Sequence, residues 1–153
     1  MRAGAVLPLL LAVVALAGCG GSAPRHAVPP KATHAQQLAA VVRKWSAQLN
    51  AGDNRGAAHL FALPAMIIQR PYAWRFPSYA DIALWHSTLP CAGHIVSIRV
   101  RADVATVVFR LADRLASKCD APGQLAAARF TIVRGHIVQW EQIPVPSGSG
   151  PVA

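Results

Sequence analysis

Acids are scarce in this chain, and that scarcity bounds the chemistry it can do. Six carboxylates and six histidines are spread over 153 residues. There is no Ser-His-Asp order, no HExxH and no glycine-rich phosphate loop. Asp53 and Asp81 stand where helices start, Asp103 at a turn, and Asp113 and Asp120 in a loop around Cys119. Glu141 alone falls inside an expected strand. It reads as a solvated position, as the partner of a nearby arginine, or as a general base in a pocket. Four histidines, His59, His86, His94 and His136, belong to the folded part, whereas His26 and His34 lie in or beside a linker. His94 ends an apolar strand face, where a satisfied, partly buried imidazole is expected. His86 follows Trp85 on a helix and is placed to reach a pocket mouth. Glu141 and His86 are therefore the candidate catalytic residues. No cofactor is expected.

The three cysteines divide by context. Residues 1–18 hold fourteen apolar residues, one charge at Arg2 and no acid. Their apolar run, Ala5 to Leu16, is too short to span a hydrocarbon core of about 30 Å and suits the middle of a secretory signal. Leu16-Ala17-Gly18-Cys19 resembles the lipobox of bacterial lipoproteins. That resemblance implies lipidation of Cys19 and a domain held at the outer face of the cell membrane; an ordinary cleavage site before a cysteine is the alternative. Cys91 and Cys119 remain, an even pair in an oxidising compartment, which suggests one disulfide. It would close a loop of about 29 residues and contribute roughly 3–4 kcal/mol by loop entropy. Two free thiols or half of a metal site are the alternatives, but no second cysteine pair and no histidine at finger spacing supports a metal.

The elements that must position these groups are legible in outline. Residues 19–33 are rich in Gly, Ser and Pro and read as a flexible tether, and residues 144–153 as a disordered tail. The folded domain is then 34–143. Leu38, Val41, Val42, Trp45 and Leu49 form one helical stripe over 34–50, ended by Asn50-Ala51-Gly52. Asp53 starts a shorter helix with Ala57, Leu60 and Phe61 inward, stopped by Pro64. Residues 65–69 form a short strand, and 70–77 (RPYAWRFP) an ordered loop. Ser78 and Asp81 match a capping box that opens a third helix carrying Ile82, Trp85 and Leu89, closed by Pro90. A hairpin over 94–101 and 104–111 turns at Ala102-Asp103, with paired positions summing to 205. It brings Cys91 and Cys119 together, which supports their bridge. A second hairpin over 124–134 and 136–143 turns at Arg134-Gly135, with pairs summing to 269. In that register Phe130 faces Gln139, Ala128 faces Glu141, and Arg129 meets Trp140 as a cation–π pair. Segregated helices and strands make the fold class α+β, with three helices packed on a curved antiparallel sheet of four long strands plus a short one.

The segments VVRKWSAQLNAGDNRGAAHLF (41–61) and RFTIVRGHIVQWEQI (129–143) resemble the nuclear transport factor 2-like superfamily, the cystatin-like α+β cone that includes SnoaL-like cyclases. The resemblance covers about residues 34–143 and implies a pocket at the open end of the cone. It spans steroid isomerases, dehydratases, polyketide cyclases and non-catalytic binding domains, so fold alone decides little. Isomerase-type members use a pocket Asp as base, and no acid here takes that place by sequence. Trp45, Tyr72, Tyr79, Trp85 and Trp140 are the expected pocket residues, with Trp74 nearby; core filling is their competing role.

Net charge is +9, and +8 once Arg2 is removed with the signal. The arginines read as scattered along the chain, which argues against nucleic acid as a partner. A solvated surface accounts for them, or attraction to anionic lipid headgroups and wall polymers. Thirty alanines and twelve arginines against three lysines fit a high-G+C, actinobacterial origin. The sequence is thus read as a membrane-anchored extracytoplasmic lipoprotein whose domain binds a small apolar ligand or an envelope protein without catalysis. A SnoaL-like or isomerase-like enzyme and a structural accessory domain of the envelope are the alternatives, and a homodimer is left open.

Overall fold

The computed structural model describes residues 32–115 and 117–147. The signal segment, Cys19 and residues 19–31 of the expected tether lie outside the described residues, as do residues 148–153 of the expected tail.

Thr33 opens α1 (His34–Asn50) with a reciprocal capping box. Its hydroxyl accepts the Gln36 N–H, and the Gln36 side chain accepts the Thr33 N–H. The helical stripe is buried at Leu38, Val42, Trp45 and Leu49, with Val41 at its margin. Gly52 turns the chain at φ +79°. Asp53 then caps α2 (Asn54–Ala58) by accepting the Gly56 N–H at 2.8 Å. That helix is shorter than expected. The Leu60 carbonyl accepts the Ile137 N–H at 2.9 Å, so a neighbouring strand captures the chain there. Phe61, expected on the helix, instead begins β1 (Phe61–Gln69) and is fully buried. Pro64 lies inside β1, in the interval between Phe61 and Met66 where pairing lapses and a missing N–H is tolerated.

The expected loop at 70–77 is a strand, β2 (Tyr72–Phe76), paired antiparallel to β1. Pro71 and Pro77 flank it, so neither removes a donor from its ladder. Ser78 caps α3 (Tyr79–Thr88), accepting the Asp81 N–H at 3.2 Å. β3 (Cys91–Arg101), β4 (Val104–Asp113), β5 (Leu125–Val133) and β6 (His136–Ile143) complete a six-stranded curved sheet, ordered β2-β1-β6-β5-β4-β3. The class is α+β with three helices as expected, but the strand count is six, and β1 runs parallel to β6.

Both hairpin registers hold near their turns and then shift by one. In β3–β4 the pairs from Arg101↔Val104 to Ser97↔Val108 follow the expected alignment; beyond an extra residue at Val96, Ile95 pairs with Phe109 and His94 with Arg110. In β5–β6 Ile132↔Ile137 holds; beyond Val138, Phe130 pairs with Trp140 and Arg129 with Glu141. The physical reason is burial. Ile137 and Trp140 are both core residues three positions apart, and a strand of period two can bury both only through a bulge between them. The same holds for Ile95 and Ile98 around Val96.

These bulges correct three expectations. Trp140 turns inward and Glu141 outward, the reverse of the expected arrangement. Arg129 meets Glu141 (3.8 Å) instead of forming a cation–π pair with Trp140. His94 is exposed. The inner sheet face, through Ile67, Val107, Phe130, Ile132 and Ile137, packs against Val42, Trp45 and Ile82 from the helices. Cys91 and Cys119 are bridged, tying the start of β3 to the loop after β4.

Candidate functional site

A cavity of about 330 Å³ opens between the end of α1 and the inner sheet face. Trp45, Leu49 and Asn50 form its helical wall. Phe109, Ala126, Ala128 and Trp140 form the sheet wall, and Leu89, Pro90 and Cys91 close one side. Small side chains on β5 create the space: Ala126 pairs with Phe109, and Ala128 pairs with Val107, on the inner face. Ser46, Gln69, Gln142 and Asp120 are the polar residues of the remaining lining.

Most of its polar groups are committed to the protein. Ser46 Oγ donates to the Gly93 carbonyl at 3.0 Å. Asn50 Nδ2 donates to the same carbonyl, and Asn50 Oδ1 accepts the Gly93 N–H, both at 3.0 Å. Gly93 permits this clamp because a Cβ there would lie only 3.0 Å from the Phe109 ring. Gln69 Oε1 accepts the Trp85 N–H at 3.0 Å, and its amide donates to Gln142 Oε1 at 3.2 Å. Trp140 is in the lining as well. Its indole N–H is buried and has no hydrogen-bond partner among the described residues.

The expected pocket residues separate into two groups. Trp45 and Trp140 line the cavity. Trp85 is not in the lining; it stands edge-on to Trp140, ring centres 5.0 Å apart. Tyr72 is 63% exposed and stacks on Trp74 on the edge strand, and Tyr79 packs against His59 at 4.3 Å. Neither tyrosine lines the cavity.

Neither candidate catalytic residue reaches it either. Glu141 sits on the outer sheet face between Arg70 (3.2 Å) and Arg129 (3.8 Å). His86 is fully buried. Its Nε2 accepts the Trp45 indole N–H at 3.0 Å, and its Nδ1 faces the Asn54 carbonyl at 3.1 Å. An indole only donates and a carbonyl only accepts, so the ring is neutral with the proton on Nδ1. Burial is the main cause that lowers the His86 pKa to about 4, with the nearby Arg114 charge adding to it.

Sequence reading missed Arg114. Its guanidinium donates to the carbonyls of His86 (2.7 Å), Leu89 (2.8 Å) and Leu49 (3.4 Å), and to Asn54 Oδ1 at 2.7 Å. One cation thus satisfies the ends of α1 and α3 and holds the start of α2. Nothing in its local sequence distinguishes it from the other arginines. Asp120, also passed over, lines the cavity with Oδ1 3.2 Å from Cys91 Sγ. The Cys91 and Cys119 sulfurs and an Asp120 oxygen lie within 4.8 Å of one another, but the bridge leaves no thiolate to bind a metal.

No protein-family model and no curated protein matches the chain. Solved structures do. A protein from Sinorhizobium meliloti assigned as a polyketide cyclase is 17% identical, with TM-score 0.58, over 72% of this chain and 100% of that one. A Kribbella flavida protein assigned as a ketosteroid isomerase is 16% identical, with TM-score 0.57, over 76% and 84%. A cystatin-fold protein from Novosphingobium aromaticivorans is 13% identical, with TM-score 0.54, over 71% and 97%. At these identities the likeness shows the fold, the nuclear transport factor 2-like, cystatin-like α+β cone.

Proposed function

We propose that this domain binds a small, neutral, largely apolar molecule in its cone, as a lipoprotein held outside the cell by Cys19. The observation that carries the binding role is a cavity of about 330 Å³ walled by Trp, Phe, Leu and Ala, whose Ser46, Asn50 and Gln69 side chains are already paired within the protein. Such a lining favours an apolar ligand. The volume lies within the range of small-molecule sites, about 300–1,000 Å³. Anchoring and export are supported by the apolar run of 1–18 and the lipobox-like 16–19.

Catalysis of the cyclase or isomerase kind is the second reading, favoured by Asp120, the single carboxylate in the lining. It would have to serve as base from beside the disulfide, since Glu141 and His86 are out of reach. Native mass spectrometry of the protein drawn from its own host's membranes tests both parts. The expected spectrum shows a chain beginning at Cys19 with added acyl mass, carrying a small neutral molecule. A free thiol at Cys19 or cleavage elsewhere would sink the anchor, and a protein without a ligand at native concentration would count against binding.

A further inference from the structure

The arginines that look scattered along the chain are gathered by the sheet. Strand alternation sends Arg75, Arg99, Arg101, Arg110 and Arg129 to the outer face, and all five are exposed. Arg99 and Arg129 share one cross-strand row with Glu141, and Arg101 and Arg75 share the next. Arg70 reaches in from the turn before β2 to Glu141. Six guanidinium groups therefore meet one carboxylate on this face among the described residues. The other acids are placed elsewhere. Asp53 caps α2, Asp81 accepts the Ser78 hydroxyl, Asp103 pairs with His34, Asp113 with Lys118, and Asp120 lies beside the disulfide.

We propose that this outer sheet face docks onto a bilayer surface bearing anionic phospholipid headgroups. The cations are spread in two dimensions, from β2 at one edge of the sheet to β3 at the other, about 24 Å at the usual strand spacing. A planar array of phosphates fits that spread better than the single line of charge an extended acidic peptide offers. Guanidinium forks suit phosphate oxygens. Half-buried Met66, Ile68 and Ile143 lie between them, apolar surface that suits a headgroup boundary. A second copy of this face would set like charges against each other. The face is independent of acylation, so it goes beyond the anchored reading above and can fail separately from it.

The test uses the full chain carrying Cys19→Ser, so that acylation plays no part and the amino-terminal segment contributes equally to every variant. Binding is measured by sedimentation with phosphatidylcholine vesicles, with and without about 30% phosphatidylglycerol, in about 0.1 M salt. The wild type should prefer the anionic vesicles. R75Q/R99Q/R101Q should lose about a hundredfold of that binding. R43Q/K44Q/R55Q, which removes the same charge from exposed helix positions, should lose under about threefold. Circular dichroism should show both triples folded, since none of the six side chains is buried. Equal losses in the two triples, or no preference for phosphatidylglycerol, would overturn the proposal. So would tighter binding to soluble polyglutamate than to vesicles, which would make an acidic polypeptide the partner instead.

Discussion

Buried among Trp45, Phe61 and Trp85, His86 has both ring nitrogens engaged and stays neutral. It positions Trp45, one wall of the cavity, and does not itself face the cavity. Its pKa makes the arrangement testable. The unfolded chain takes up a proton at His86 near pH 6.5, whereas the folded protein does so only near pH 4. Stability is therefore complete above the first value and falls as the pH drops towards the second, by about 3 kcal/mol. Denaturant unfolding followed from pH 7 to 4.5 should show that decline. His86→Gln keeps an acceptor for Trp45 and a donor for Asn54 but cannot titrate, so its decline over the same interval should be much flatter. An equal slope in both proteins would show that another group carries the acid sensitivity.

At the scale of elements, Arg114 ties the ends of α1 and α3 to the start of α2 by donating to the Leu49, His86 and Leu89 carbonyls and to Asn54 Oδ1. Arg114→Met keeps much of the side chain's bulk and removes every donor. It should lower unfolding free energy by about 2–4 kcal/mol, and Arg114→Lys should recover part of that, as read from denaturation midpoints. A loss below about 0.5 kcal/mol in Arg114→Met would mean the guanidinium does not stabilise the helix junction. Helices were the most legible elements in the sequence. The Leu38–Leu49 stripe, the Gly52 turn and the Ser78 cap are local signals, and each falls where the structure places it. The bulges at Val96 and Val138 are less legible, because turn chemistry fixes register only near the turn. Their one signal is spacing: Ile137 and Trp140 are three apart, an interval that period two cannot bury. Without the bulge, Glu141 falls on the inner face, where it reads as a base. β2 is masked in the sequence by the prolines that bound it, and Arg114 by partners that are distant in sequence and mostly backbone carbonyls.

For the whole molecule, the cone, the outer face and the scarcity of acids form one pattern. Each carboxylate serves a helix cap, an ion pair or the disulfide loop, and the cavity is left to neutral side chains and Asp120. Basic charge is turned outward, onto the sheet face away from the helices. The central claim is that the cavity binds a small apolar molecule. Calorimetric titration with a small fused-ring ketone and its parent hydrocarbon tests it most directly, in wild type and the cavity-filling Ala126→Phe. The wild type should bind at least one of the two compounds, and Ala126→Phe neither. If the wild type binds neither compound, or if Ala126→Phe binds as tightly as the wild type, the claim is contradicted.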